Sequence, residues 1–246
     1  MVMLGGQALL QAWEVGLRQH PVDRALTVLT VAYPELAWDT LASLSIGERD
    51  RYLFQVREQT FGSAMVSRTA CPTCSEQLEF EMRVRDVIVD TQPQASEATW
   101  QVMVDDYEMH VRRPTSFDLG AIVGCSEVGQ ARHHLAQRCI VRLVRGGETV
   151  AMDSLPKTAI DSLAASIGAC DPQAEILLDL RCPACEHGWQ MMFDIEAFLW
   201  SEICAQAKRL LCDVHTLARA YGWREADILR LNETRRQLYL EMVGNG

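Results

Sequence analysis

Two pairs of cysteines have the spacing of metal-binding turns. The first pair belongs to Cys71-Pro72-Thr73-Cys74 and the second to Cys182-Pro183-Ala184-Cys185. A gap of two residues lets both thiolates of a tight turn face one tetrahedral ion. The sequence therefore predicts one structural zinc site whose four ligands are Cys71, Cys74, Cys182 and Cys185.

Two other interpretations of the cysteine pairs stay open at this point: a redox dithiol, or thiols that bind no metal. A redox dithiol needs an exposed cysteine of low pKa at the N-terminus of a helix. Each pair is instead followed by a run that alternates apolar and polar residues, which is typical of a β-strand. Four thiolates also leave zinc no open position for water, so we expect the site to hold structure and not to catalyse.

Other groups that could do chemistry are few. His187 follows Cys185 by two residues, but we expect it to be an ordinary histidine of a strand turn. His133-His134 lacks the glutamate spacing of zinc hydrolases, and the chain has neither a phosphate-binding glycine loop nor a nucleophile elbow. We therefore expect a protein that is not an enzyme. The competing idea, a metal-dependent hydrolase, would require an open position on the metal.

Composition limits the partners and the compartment. The 246 residues include 48% hydrophobic and 23% charged residues, as in ordinary globular proteins, and the formal net charge is −10. That charge disfavours nucleic acid and acidic membranes as partners. No disulfide framework, signal peptide or membrane-spanning run is recognisable, so we expect a cytoplasmic protein. The remaining cysteines are expected to be free thiols: Cys125, Cys139, Cys170, Cys204 and Cys212.

Both ends of the chain have helical spacing. Helices are predicted over about 7–19, from Val22 to Tyr33, and from a capping box at Ser45 and Glu48 to Gly62. The longest helical pattern runs from Ile195 to Tyr221 and ends at Gly222-Trp223. A short helix around Ile228 and a last helix capped by Asn232 follow.

The middle of the chain has a period of two. Each cysteine pair is predicted to form the tip of a β-hairpin, with strands over Gln77–Val84, Ile176–Leu180 and Trp189–Phe193. Between the pairs we expect a loop over 91–99, a hairpin around Asp105-Asp106, a helix over about 127–137 and a helix from Pro156 to Gly168. Cys139–Val144 fits either a strand or the continuation of a helix, and we slightly favour the strand.

Together these elements predict an α+β fold. Helical N-terminal and C-terminal segments surround a split zinc-ribbon-like antiparallel sheet that carries an inserted α/β subdomain. A long loop between the half-sites is acceptable because closing it costs only slightly more than closing a short one. The expected ranges are 1–62 for the N-terminal helices, 63–90 and 174–194 for the split ribbon, 91–173 for the insert and 195–246 for the C-terminal helices.

Short motifs along most of the chain resemble a known family. They are Leu10-x-x-Trp13-Glu14-x-Gly16, Arg24-Ala25-Leu26, Gly47-Glu48-Arg49-Asp50, Phe61-Gly62, Ala70-Cys71-Pro72-x-Cys74, Leu78-Glu79-Phe80, Arg113-Pro114-Thr115, Asp118-Leu119, the second Cys-Pro-x-Cys, His215-x-Leu217-Ala218, Tyr221-Gly222-Trp223, Ile228-Leu229-x-Leu231 and Arg235-Arg236. The chain is similar to the baseplate hub assembly (chaperone-like) proteins of T-even-type contractile phage tails and extracellular contractile injection systems.

The resemblance implies a role that is not enzymatic. Such a protein would help to build the hub and spike of a contractile baseplate by binding hub and spike proteins, with no nucleic acid, membrane or small-molecule substrate. It would act in the cytoplasm, with or without incorporation into the phage tail-like particle. A zinc-ribbon regulator that binds nucleic acid is the alternative, and the net charge disfavours it.

The C-terminal helices carry the predicted partner-binding residues Trp223, Arg235, Arg236 and Tyr239. Aromatic residues and arginine dominate the anchors of protein interfaces, which is the basis of this prediction. The competing interpretation is that Trp223 simply packs under the turn that follows the long helix.

Overall fold

The computed structural model describes residues 3–89, 99–152 and 155–244. The helices are α1 (Gly6–Gly16), α2 (Pro21–Ala32), α3 (Trp38–Ala42), α4 (Ile46–Phe61), α5 (Val84–Val87), α6 (Ser116–Ile122), α7 (Val128–Cys139), α8 (Lys157–Cys170), a 3-10 helix (Pro172–Ala174), α9 (Ile195–Tyr221), α10 (Glu225–Leu229) and α11 (Glu233–Gly244). The strands are β1 (Ala64–Ala70), β2 (Gln77–Arg83), β3 (Trp100–Val104), β4 (Tyr107–Val111), β5 (Ile140–Arg145), β6 (Glu148–Thr149), β7 (Ile176–Arg181) and β8 (Gly188–Phe193). The predicted mixture of helices and small antiparallel sheets is confirmed, and the predicted loop over 91–99 lies, apart from Thr99, outside the described residues.

Helices from both ends of the chain share the larger hydrophobic core. Leu9, Leu29, Phe54 and Leu199, from α1, α2, α4 and α9, are almost fully buried in it. Gly16 lets α1 approach α9 closely, because a Cβ at this position would lie 2.6 Å from Cζ3 of Trp200. The long helix α9 therefore packs against the N-terminal helices, although 134 or more residues separate them in sequence.

Local signals fix the ends of these helices. The Ser45 hydroxyl accepts a hydrogen bond from the Glu48 amide (3.2 Å), and the Glu48 carboxylate accepts one from the Ser45 amide (3.0 Å), so the predicted capping box is confirmed. The Asp194 carboxylate caps α9 with a single hydrogen bond, which it accepts from the amide of Ala197. Gly222, with φ +66°, ends α9 in the left-handed conformation that favours glycine. The short helix α3 was not predicted from the sequence.

The two cysteine-bearing hairpins are separate two-stranded sheets. β1 pairs with β2 and β7 pairs with β8, both antiparallel, and among the described residues no strand of one hairpin pairs with the other. The hairpins are thus confirmed, whereas the single split sheet is not. The hairpins do not join because each packs one face against the helical core. Alternate side chains form that face, among them Met65, Met82, Ile176 and Phe193.

The inserted segment has a core of its own. Strands β3, β4, β5 and β6 form one antiparallel sheet in that order, and α7 and α8 cover it. Met109, Val111 and Leu163 are almost completely buried between the layers. α7 ends at Cys139 and β5 begins at Ile140, so the slight preference for a strand in this segment is confirmed.

The insert is held at the N-terminus of α4. The Gly47 amide donates a buried hydrogen bond to Asp171 Oδ2 (3.0 Å), and the Ile46 amide donates to the carbonyl of Pro114 (3.1 Å). The Gln173 side chain then accepts from the Val89 amide at 2.7 Å. The N-terminus of α4 therefore contacts the insert at Pro114 and Asp171, and the bond between Gln173 and Val89 brings the two ends of the insert together.

Ion pairs with a buried member connect different elements of the fold. Arg57 of α4 binds both carboxylate oxygens of Glu202 on α9 (3.0 and 2.7 Å). Asp118 is fully buried and contacts Arg112 and Arg138. Burial raises the pKa of Asp118, but hydrogen bonds from Arg112 and Thr115 outweigh it and lower the pKa overall. A charge buried in this way is stable only with both partners present.

Glu196 is buried without such compensation. Its Oε1 atom has no hydrogen-bond partner among the described residues. Desolvation and the neighbouring Asp194 raise its pKa from 4.5 to about 7, and Arg24 and Arg49 offset this only in part. The folded state therefore binds a proton more tightly than the unfolded state does. Protonation of Glu196 therefore stabilises the folded state. This stabilisation is complete below pH 4.5 and is lost as the pH rises through about 7.

We expect Glu196→Gln to stabilise the protein at pH 8 by about 1–2 kcal/mol and to change little at pH 4.5, because glutamine removes the cost of ionisation. Thermal unfolding at both pH values measures the difference. Glu202→Gln on the same helix is the control, and it should destabilise at pH 8 because it weakens the pair with Arg57. An equal effect of Glu196→Gln at both pH values would contradict the assignment.

Candidate metal centre

Two identical backbone turns carry the four cysteines. In the first turn, which joins β1 to β2, the Cys71 amide donates to the carbonyl of Glu76 (2.8 Å) and the Ser75 amide donates to the carbonyl of Cys71 (2.9 Å). In the second, which joins β7 to β8, the amides of Cys182 and Glu186 make the equivalent bonds to His187 and Cys182, both at 2.9 Å. The paired strands therefore present each Cys-x-x-Cys in the same conformation.

Each turn also contains one residue in the left-handed region. Ser75 has φ +61° and Glu186 has φ +58°, and each directly follows the second cysteine of its pair. A residue other than glycine pays about 1 kcal/mol or more for this conformation. The surrounding hydrogen bonds maintain it in both places, which indicates that the turn geometry is important for the position of the thiols.

The four cysteine sulfur atoms form one compact cluster. All the Sγ atoms lie within 4.8 Å of one another, with Cys71 to Cys185 at 3.6 Å and Cys74 to Cys182 at 3.5 Å. Zn–S bonds of about 2.3 Å in a tetrahedron would place neighbouring sulfurs about 3.8 Å apart. The observed separations are far above the S–S bond length of about 2.05 Å, and the cysteines are free thiols. The donor set and its spacing thus fit a tetrahedral thiolate-bound metal.

Electrostatics favours a thiolate in this cluster. Desolvation raises the pKa of the Cys71 thiol. Hydrogen bonds from the amides of Cys74 and Thr73 and from the adjacent thiols outweigh this effect and lower the pKa to about 6. The pKa of Cys74 is raised, since the neighbouring thiols and desolvation outweigh the hydrogen bond from the Glu76 backbone. Protons are therefore shared unequally among the thiols, and a metal that binds here must displace those that remain.

Each cysteine pair has one buried and one exposed member. The first cysteine of each pair, Cys71 and Cys182, is 1% exposed, whereas the second, Cys74 and Cys185, is exposed. The exposed thiols give an ion a route into the site. Four protein donors would complete a tetrahedral coordination, so the arrangement can cross-link the two hairpin tips and leaves no position for a substrate.

The histidines lie outside this cluster. The His187 ring stacks on Trp189, with centroids 6.1 Å apart and an angle of 10° between the rings. His134 lies on α7, where its Nδ1 atom is 3.5 Å from Cys125 Sγ. Neither histidine belongs to the group of residues that could hold a metal within the described part of the chain.

The four predicted partner-binding residues lie in different environments, namely an aromatic cluster, the exposed surface and a buried ion pair. Trp223 stacks on Tyr221 (4.7 Å) and meets Tyr239 edge-on (4.8 Å), forming an aromatic cluster where α9, α10 and α11 come together. Arg235 is exposed. Arg236, which the sequence hypothesis put on the surface, is 5% exposed and pairs with Asp213 at 3.0 Å, so it attaches α11 to α9.

Tyr221 was not among the partner-binding residues predicted from the sequence. It is 39% exposed and contacts both other rings of the aromatic cluster. The sequence feature that could have indicated the contact of Tyr221 with Trp223 is Gly222. A residue in the left-handed conformation reverses the chain and brings Trp223 back onto the last turn of the helix.

No helix within residues 3–89, 99–152 and 155–244 combines the length and the apolar character that a bilayer crossing requires. A family model described as T4 bacteriophage base plate protein matches residues 26–200. The matched range includes α4, both hairpins, the whole insert and the first turns of α9. No curated protein and no solved structure matches the chain.

Proposed function

Because this chain belongs to the T4 bacteriophage base plate protein family, we propose that it is an assembly factor or minor structural component of the baseplate hub of a contractile tail or injection system. The family match over residues 26–200 is the observation that carries the proposal, since it supports a structural or assembly role in a phage baseplate. Proteins of such structural families typically act by contact with other baseplate proteins and not by catalysis. The hub position and the chaperone-like role rest on the motifs described above.

We further propose that Cys71, Cys74, Cys182 and Cys185 bind one structural zinc ion. The four-thiolate donor set and the sulfur separations of 3.5 and 3.6 Å support zinc, which prefers tetrahedral sulfur coordination in structural sites. The ion would supply a cross-link between two hairpins that are each only two strands wide. Such hairpins are marginally stable alone, so fixing both tips would keep the body rigid for docking.

The proposed docking residues are Trp223, Tyr239 and Arg235, at the junction of α9, α10 and α11. The same helix α11 also carries two exposed apolar side chains, Leu238 (49%) and Met242 (60%). Clustered aromatic rings next to an exposed arginine are the usual anchors of protein interfaces. Arg236 would contribute indirectly, since its pair with Asp213 holds α11 in place.

We expect the tagged chain to co-purify with hub or spike proteins of its particle, and Trp223→Ala to weaken that binding by about 10-fold or more. Pull-down followed by mass spectrometry identifies the partner, and titration of the purified pair gives the affinity. Trp38→Ala is a control, because Trp38 is also a solvent-accessible tryptophan (45% exposed) packed edge-on against an aromatic ring, whereas it lies on α3, away from the proposed surface. If no hub or spike protein co-purifies, the hub role is wrong; if Trp223→Ala binds normally, the docking surface is wrong.

A further inference from the structure

The solvent face of the second half of α9 carries a row of basic residues. Lys208, His215 and Arg219 recur at intervals of seven and four residues, so they lie on one stripe of the helix, and Arg209 is adjacent. All four side chains are exposed, while Ala207, Leu210 and Leu217 on the opposite face are buried. We call Lys208, Arg209, His215 and Arg219 the basic stripe.

These basic side chains have no acidic ion-pair partners in the part of the fold that the structure describes. None of the four forms an ion pair with a side chain of the described residues. The only acidic residue between 203 and 224 is Asp213, and its carboxylate is occupied by the buried Arg236. A cation in the last turn of a helix can be explained by the helix dipole, which accounts for Arg219. Lys208 and Arg209 lie about three turns earlier, beyond the reach of that effect.

The stripe is unusual for a chain with a net charge of −10. It also leads directly to the aromatic cluster, because Tyr221 and Trp223 follow Arg219 at the end of the helix. Positive charge next to partly exposed aromatic rings is complementary to a surface that combines carboxylates with apolar side chains. Electrostatic complementarity of this kind accelerates docking and selects the partner.

We propose that the basic stripe binds an acidic segment of the hub or spike protein whose apolar residues contact the aromatic cluster. This inference rests on the proposed function and specifies the chemistry of its partner. A protein partner is favoured over nucleic acid because the three cations Lys208, Arg209 and Arg219 neutralise few phosphates, and the charge of the whole chain repels a long polyanion.

The test is a triple charge reversal, Lys208→Glu, Arg209→Glu and Arg219→Glu. Its matched control is Arg132→Glu, Arg142→Glu and Lys157→Glu, which changes the net charge equally at three exposed cations on the insert. Affinity for the co-purified hub or spike protein is measured with both variants at about 50 and about 300 mM salt. We expect the stripe reversal to weaken binding about 10-fold or more at low salt and to flatten the salt dependence, with less than about a 2-fold change in the control. Circular dichroism and zinc content check that both variants fold.

Each alternative result has a distinct meaning. If the wild-type chain binds no hub or spike protein, the proposed function itself fails. If it binds and the stripe reversal retains the affinity, or if both variants lose it equally, only the present inference is overturned. A duplex DNA or a second copy of the chain that binds through the stripe, detected by fluorescence anisotropy and light scattering, would also overturn it.

Discussion

Replacing Cys74 with serine is expected to reduce bound zinc from about one ion per chain to almost none and to lower the melting temperature by about 10 °C or more. The reason is geometric, since Cys74 Sγ lies 3.5 Å from Cys182 Sγ and the two belong to different hairpins. A site with three thiolates binds zinc weakly, and the free energy of binding is then no longer available to the folded state. Elemental analysis and differential scanning calorimetry measure the two effects.

The control for this variant is Cys212→Ser. Cys74 and Cys212 are both exposed free thiols, but Cys212 lies on α9, outside the cluster. It should keep its zinc and its melting temperature. Replacement of Cys71 or Cys182, the buried members of the pairs, should have at least the effect of Cys74→Ser. A Cys74→Ser protein that retains its metal and its melting temperature would show that the two half-sites do not share an ion.

Gly47→Ala is expected to destabilise the protein by about 3 kcal/mol, although it adds only one methyl group. A Cβ at this position would lie 2.8 Å from Asp171 Cγ and 3.1 Å from Gln173 Cβ, and even closer to Asp171 Oδ1. The Asp171 carboxylate would have to move, so the buried hydrogen bond from the Gly47 amide would be lost. Urea denaturation monitored by circular dichroism gives the change in the free energy of unfolding.

A matched substitution separates this clash from the general effect of a glycine in a helix. Gly129 lies in the first turn of α7, and a Cβ there would meet no atom within 4 Å. Gly129→Ala should be neutral or should stabilise the protein by up to about 1 kcal/mol, because alanine favours the helical backbone. If Gly47→Ala behaves like Gly129→Ala, the insert is not held at the N-terminus of α4 in the manner described.

Features of local origin could be predicted from the sequence. The alternation of apolar residues defined the strands beside each cysteine pair, and the capping box at Ser45 defined the start of α4. The spacing of the cysteines also led to the cluster that the fold brings together. Each of these signals acts over a few residues, where backbone geometry alone connects sequence to structure.

Features of distant origin could not be predicted. A period of two does not determine whether a strand will pair by its edge or pack by its face, and the two hairpins consequently form separate sheets. The burial of Arg236 depends on Asp213, which lies 23 residues away on another helix. Gly47 and Asp171 are 124 residues apart, and no pattern in a single sequence connects them.

The separation of the two half-sites has a consequence for the order of folding. Cys182 is 108 residues later in the chain than Cys74, so the first pair leaves the ribosome long before its counterpart. The intervening insert has its own hydrophobic core and can collapse in the interval. A metal held by all four thiols would therefore close one of the last long-range contacts, since such contacts form after local ones. Metal binding by all four thiols would then occur only in chains whose insert has folded, and truncated chains that lack the second pair could not complete the site.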